Sequence, residues 1–436
     1  MKGYFKAGVP MAAALTMGLT LATASVSGAG GTTKSPVTVL AVAPFSGPDA
    51  GFGLHAESGC LTAVALINKE GGVIGHPVKC ITADTKGDPA DAVPVVEKAL
   101  AFNTNVIGII GPTSDEASAV SPMINSAHVP FFSTTGQSEF TNTNFSYFHR
   151  LVPPDNFAGA AMALWAYSRH YKKVAILVGN DIGSQGTVPA INHALKLLGS
   201  TKVVVSQVIS LDATSYNTEV SQLLQAKPDA ILTEVDPQTA ATYLSELQQQ
   251  LGSGTFPQII GANPILVPEW YTAVSTAIGA SLTQSNVVAE NSTSVTGGPA
   301  SLTFDHAIKL AAKSQPVVAG YSTNATVEVQ YDAMNLMALA AIETKSLNTV
   351  VINKAIKSLA NGVKGAKEVR DFATGVRLLK AGDKIRYVGL TGPLYLNAHN
   401  NGFGGVLMQK FAANGNVVNV SGSNLVLSQQ ALAKIS

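Results

Sequence analysis

The chain has 436 residues, 46% apolar and 13% charged: enough to bury a sizeable core, and long enough for two domains rather than one. Its 28 basic and 27 acidic residues nearly cancel, and setting aside Lys2 and Lys6, which fall in a leader expected to be removed, leaves 26 against 27. Such a balance carries no electrostatic footprint for nucleic acid or an anionic membrane.

Lys2 and Lys6 precede an apolar run from about Ala7 to Leu21, and Ala22-Thr23-Ala24 closes it as a small-residue cleavage site. Residues 1–24 therefore read as a secretory signal peptide. An uncleaved anchor is the alternative, but the run is short and broken by Pro10 and Gly18. No cysteine follows the run, which argues against a lipid-anchored precursor. Nothing later reads as long and apolar enough to span a bilayer, so the mature protein is expected to be soluble, exported and periplasmic or otherwise extracytoplasmic.

From Val37 onward apolar runs alternate with helix-length amphipathic stretches. Strands are expected at 37–43, 78–84, 106–111 and 129–133, with helices near 54–69, 89–101 and 115–127. Asp88-Pro89 gives the second helix a cap and a first-turn proline, and Pro94 inside it predicts a kink or late start. The only cysteines are Cys60, on the first helix, and Cys80, on the next strand. In an oxidising compartment an isolated pair favours a disulfide; two small buried hydrophobes are the alternative.

A second series begins after Pro153-Pro154. Strands are expected at 173–178, 202–209, 229–235 and 257–261, and helices near 155–170, 186–198, 217–226 and 237–251. Runs apolar at consecutive positions and separated by helices indicate parallel sheets covered on both faces, so the fold class is α/β, with two Rossmann-like lobes of similar plan. The tail differs: a strand near 285–289, a Thr/Ser/Gly-rich surface loop at 292–300, helices at 301–313, 324–344 and 349–360, and strand-like pieces at 384–396, 403–411 and 416–420.

Ligands of open parallel sheets bind outside the carboxyl ends of the strands, so the strand-to-helix loops are the places for chemistry. The first, "APFSGPDAGFG", sets Phe52 among three glycines, either as a cap on the core or as a wall facing a ligand. In "GPTSDEAS", Ser114, Asp115 and Ser118 sit at a helix start, as caps or as ligand contacts. In "STTGQSEFT" six of nine residues carry hydroxyl or amide side chains, more than a turn requires. In the second lobe "GNDIGSQG", "DPQ" and "GANPIL" offer Asp181, Asp236 and Asn263, each alone an ordinary cap or turn residue, together facing one region.

Enzyme signatures are missing: there is no dinucleotide fingerprint after a strand, no Walker loop, no nucleophile elbow and no HExxH. The eight histidines are scattered; His55, His149 and His399 have no metal-like spacing and read as structural or solvated. No catalytic residue, metal or cofactor is expected.

The stretches "VAPFSGPDAGFG", "AVALINKEGGVIGHPVKCITADTKGDPADAV", "VIGIIGPTSDEASAVSPMINSAHVPFFST", "FHRLVPPDNFAG" and "IRYVGLTGPLYLNAHNNGFGGVLMQKF" resemble, in order and over almost the whole mature chain, the branched-chain-amino-acid-type solute-binding proteins of ABC transporters. The resemblance implies the type I periplasmic-binding architecture, with three crossings between lobes that close on a small solute. The lobes would be 36–152 plus 286–390 and 153–285 plus 391–436. It also implies a membrane permease partner and a monomer. By position, Phe52 corresponds to an aromatic lining the cleft, Ser114 and Asp115 to a segment that holds a ligand carboxylate, and Thr135, Gly136 and Gln137 to a second such segment. Ile182 stands where many members have Tyr, and Asn263 where amino-acid binders often have an acid for the ligand ammonium. These departures weaken the second-lobe half of an amino-acid site, because a charged hydrogen bond outweighs a neutral one. Asp115 also brings negative charge to the place of a ligand carboxylate. Asp115 or Asp236 would be the alternative partner for an ammonium, and an amide, a polyol or an aromatic compound the alternative ligand. A sensor subunit docking to a receptor is the rival on the same fold, and an α/β hydrolase a remote one.

Overall fold

A computed structural model describes residues 34–292, 298–322 and 324–436. The expected signal peptide, and 293–297 of the expected Thr/Ser/Gly loop, lie outside the described residues.

The first lobe opens with β1 (Val37–Ala43), α1 (Ala50–Lys69), β2 (Val78–Asp84), α2 (Pro89–Phe102), β3 (Val106–Ile110), α3 (Ser114–Ser126), β4 (Phe131–Ser133) and β5 (Phe148–Arg150). These strands make an all-parallel sheet in the order β2-β1-β3-β4-β5. Every residue of β1 is buried: it pairs on both edges and is covered on both faces, which is why it reads as an unbroken apolar run. Asp88 accepts from the Ala90 N–H at 2.7 Å and caps α2. Pro94 lies inside α2 without delaying its start at Pro89.

The second lobe follows with α4 (Asp155–Ser168), β6 (Lys173–Gly179), α5 (Ile182–Gln185), α6 (Val188–Leu198), β7 (Lys202–Ile209), α7 (Asn217–Ala226), β8 (Ala230–Glu234), α8 (Pro237–Leu251), β9 (Gln258–Gly261), α9 (Pro268–Ile278), α10 (Ala280–Asn286) and β10 (Val287–Ser292). The chain then returns with α11 (Pro299–Ala311), α12 (Ala325–Thr344), α13 (Thr349–Asn361), β11 (Lys367–Val369), α14 (Phe372–Lys380) and β12 (Ile385–Tyr387), which join the core of β1, α1 and β3. It crosses a third time to β13 (Val406–Phe411), β14 (Val417–Asn419), α15 (Ser423–Val426) and α16 (Gln429–Leu432). The second sheet has the order β14-β13-β10-β9-β8-β6-β7.

Several expectations need correction. The second sheet is mixed, since β13 runs antiparallel to β10 and β14 antiparallel to β13. The strand expected at 285–289 is β10, and it belongs to the second sheet. The return to the first lobe therefore falls after Ser292, not at 286. Leu390, Leu394 and Leu396 pack in the first-lobe core and Asn401 bridges to Arg150, so the last crossing lies beyond residue 401, not at 391. Of the piece expected at 384–396, only β12 is strand. The elements β5, β11, α9, α10 and α14 were not anticipated. α1 is, by length and composition, apolar enough to cross a membrane, contrary to expectation. Here it is a core helix, with ten residues buried against the sheet and α12, which is itself buried along most of its length.

The opening loop also differs from expectation: Gly51, Phe52 and Gly53 form the first turn of α1. The glycine at 53 is required by the chain itself, not by a ligand. Its N–H donates to the Pro44 carbonyl at 2.9 Å, and a Cβ there would stand 2.3 Å from that oxygen.

Cys60 and Cys80 are bridged, with Cα atoms 6.2 Å apart, and pin α1 to β2 across 20 residues of sequence. Closing a loop of that length restricts the unfolded chain by about 3 kcal/mol. Reduction, or the Cys60→Ser/Cys80→Ser pair, is expected to lower the unfolding free energy by about that amount in urea titration. A loss below about 1 kcal/mol would remove the bridge from the stability account.

Candidate functional site

The two lobes face each other across a cavity of about 280 Å³ at the carboxyl ends of both sheets. The first lobe contributes the β1–α1 turn, the start of α3 and the segment after β4. The second contributes the start of α4, α5, the end of β8 with the start of α8, the turn after β9, and β10.

Of the residues named from sequence, Phe52, Ser114, Asp115, Gly136, Asp236 and Asn263 line this cavity, as does Asp181. Three others do not. Thr135 is fully buried behind the wall, its hydroxyl bonded to Ser114 Oγ at 3.2 Å and donating to Gln137 Oε1 at 3.0 Å. Gln137 turns its amide toward Thr135 and Ser118, so the polar density of "STTGQSEFT" is largely consumed in holding its own loop. Ile182 is 45% exposed, and it takes part through its backbone.

That backbone contact crosses the lobes. Asp115 Oδ1 accepts from the N–H groups of Ile182 at 3.0 Å and Gly183 at 3.3 Å. A second contact joins Tyr321, on the first-lobe core, to Glu269 at the head of α9: the phenol donates to Glu269 Oε1. These bonds hold the lobes around the cavity.

The wall is acidic to a degree the sequence reading did not foresee. Besides Asp115, Asp181 and Asp236, it includes Asp49 from the first lobe and Asp155, Glu234, Glu269 and Glu290 from the second. Among the described residues no lysine or arginine lines it. Burial, followed by the fields of Asp115, Asp181 and Asp236, pushes Asp49 up to about 8. Burial raises Asp155 to about 7 against the pull of Arg150, and Glu290 to about 7 against a hydrogen bond from the Asn263 N–H. Asp115 rises only to about 6, since burial and Asp181 are opposed by its two N–H donors. Glu234, half-buried at the end of β8, is held well above the carboxylate range by desolvation and then by the neighbouring acids.

Two residues had been passed over. His55 read as structural or solvated; it lies on the wall at 1% exposure, with neither ring nitrogen hydrogen-bonded. Burial drops it to about 4 against the attraction of Glu269, so the imidazole is neutral near pH 7. Its ring meets Phe52 and Tyr321 edge-on at 6.0 and 5.3 Å. Arg150, fully buried, stands behind the wall and spends its guanidinium on Asn401 Oδ1, the Thr135 and Gln137 carbonyls and Thr141 Oγ1. A sequence signal existed for two of the acids: Glu234 and Glu290 end or nearly end apolar strands on the side where parallel sheets present their sites.

Gly136 explains how the first crossing fits. Its carbonyl accepts from the Asp155 N–H at 2.7 Å, and a Cβ at Gly136 would overlap the Asp155 carboxylate.

The family model for periplasmic binding protein matches residues 36–373. A chemotactic signal transduction substrate-binding protein, BasB of Halobacterium salinarum, is 26% identical over 392 residues, spanning 86% of this chain and 87% of that one. The Leu/Ile/Val-binding protein BraC3 of Rhizobium johnstonii is 24% identical over 353 residues, 80% of this chain and 88% of its own. Among solved structures, the branched-chain amino acid transporter substrate-binding protein LivJ of Streptococcus pneumoniae, in complex with isoleucine, superposes with a TM-score of 0.68 at 19% identity, over 88% of this chain and all of that one. With two α/β lobes, three crossings and a cavity between them, the chain belongs to the periplasmic binding protein family.

Proposed function

We propose that the protein is an extracytoplasmic solute-binding subunit of an ABC importer, which captures a small amino-acid-like or related polar or aromatic solute between its lobes without making or breaking a bond. The observation that carries this reading is the cavity built from both lobes and closed by the Asp115 and Tyr321 contacts. Solute docks on one lobe, the hinge segments close, and the closed surface is what a permease recognises. A solute drives closure only by binding the closed form more tightly.

Mass spectrometry of small molecules released from natively purified protein identifies the solute, and calorimetry with that compound tests the wall. Phe52→Ala removes an aromatic face worth about 1.5–3 kcal/mol and is expected to weaken binding 10-fold or more. Gln137→Ala and Ile182→Ala are expected to leave affinity within about threefold. Unchanged binding by the Phe52 variant would take this cavity out of the reading.

A second reading, a sensor subunit on the same fold, is favoured by the likeness to a chemotactic substrate-binding protein. Co-purification with a permease or with a transducer, each in the presence of solute, separates the two.

A further inference from the structure

Resting on the solute-capture reading, we infer that the solute is an organic cation: a protonated amine with an apolar body and no carboxylate. Three observations converge. The first is charge. Among the described residues, eight carboxyl groups from both lobes line the cavity, and no lysine or arginine does. Arg150, behind the wall, is engaged by protein acceptors.

The second is that many of the backbone donors around the cavity are already taken by the chain's own acids. At the start of α3, Glu116 accepts from the Thr113 N–H and hydroxyl. At α5, Asp115 takes the Ile182 and Gly183 N–H groups and Asp181 takes that of Ser184. At α8, Asp236 takes those of Gln238 and Thr239. After β9, Glu290 takes that of Asn263. A carboxylate entering here would meet no lysine or arginine among the described residues and would have to compete with these acids for the helix-start donors that stabilise anions.

The third is the set of acceptors left over. Asp155 Oδ2, Asp181 Oδ2, Asp236 Oδ2 and Glu269 Oε2 are buried without a partner. His55 and Thr187, each 1% exposed and on the wall, add an unpartnered imidazole and hydroxyl. Buried polar atoms without partners are rare in folded proteins, and an ammonium, all donor and no acceptor, satisfies this set. Phe52, Val152, Val235 and Val267 supply apolar surface on the same wall for the rest of the solute.

The protonation states fit this arrangement. Near pH 7, Asp49, Asp155 and Glu290, with Glu116 just behind them, are close to their titration points, and His55 is neutral. The raised acids keep protons in the folded state that the unfolded chain has released, so they subtract stability as pH rises from about 4 to 8. A bound cation displaces those protons and removes that deficit.

The test is isothermal titration of the full mature chain against two matched triads, each sharing one apolar body: 3-methylbutylamine, leucine and 4-methylpentanoate; phenethylamine, phenylalanine and 3-phenylpropanoate. The expected result is an amine that binds at least 10-fold tighter than its amino-acid counterpart, with no detectable binding of the carboxylate-only members. Amine affinity is expected to rise 10-fold or more from pH 5.5 to pH 8, with net proton release when phosphate and Tris buffers are compared. Glu290→Gln and Asp155→Asn, tested separately so that one poorly folded variant does not decide the matter, are each expected to weaken the amine at least fivefold. If an amino acid or a plain carboxylate binds tighter than its amine, or if amine affinity is flat with pH, the cation inference falls and solute capture stands. If no member of any triad binds and no solute is released from native protein, both fall.

Discussion

Arg150→Ala is expected to lower the unfolding free energy by about 3–5 kcal/mol, the usual cost of dismantling a buried, fully engaged charge site. The side chain is wholly buried, and desolvation drops its guanidinium to about 10. It binds the Thr135 and Gln137 carbonyls, Thr141 Oγ1 and Asn401 Oδ1. Its backbone is committed as well: the Arg150 N–H donates to the Asn400 carbonyl at 3.1 Å, and its own carbonyl accepts from the Gly402 N–H at 2.9 Å. One residue thus fastens the loop after β4 to the final crossing. Arg150→Lys should recover little, because a single ammonium cannot reach the acceptors that a planar fork spans. Urea titration of both variants measures this, and a loss below about 1 kcal/mol for the alanine variant would show that the loop and the crossing are held by other means.

The second large effect is expected at the lobe contacts. Asp115→Ala removes the acceptor of the Ile182 and Gly183 N–H groups, and Tyr321→Phe removes the donor to Glu269. Hydrogen bonds to charged groups contribute about 1.5–3 kcal/mol each. Together the two substitutions should weaken solute binding by 10²–10³-fold, about 3–4 kcal/mol, through loss of the closed form. Each lobe keeps its own core, so the circular dichroism spectrum is expected to be unchanged while small-angle scattering reports a larger radius of gyration. Asp115, raised to about 6, loses its charge below that pH, so the wild-type contact should loosen on acidification. Full affinity in the double variant would assign closure to other contacts.

Most strands were legible because parallel strands covered on both faces are apolar at consecutive positions: β1 reads VTVLAVA and is buried throughout. The three-residue strands β5 and β11 carry too few positions for any pattern. α9 and α10 follow the proline at 268 and could have been read from it. The site was half legible. Loops after strands pointed to Phe52, Ser114, Asp115 and Asn263, but a lone acid such as Asp49 or Asp155 looks like any turn residue until the fold sets it beside the others. Polar density misled in the other direction: Thr135 and Gln137 bond to their own loop. Ile182, read as a departure that weakens the site, contributes an N–H that does not depend on its side chain.

The pairing of β13 with β10 bears on how the molecule is made. The second sheet waits for β13 and β14 until residues 406–419 have been delivered, long after β10. Until then β10 presents a row of unpaired amides and carbonyls to any passing strand, the kind of open rim that seeds aggregation. β13 and β14 therefore act as a seal, and a nascent chain that has not yet delivered them is the species most in need of a chaperone.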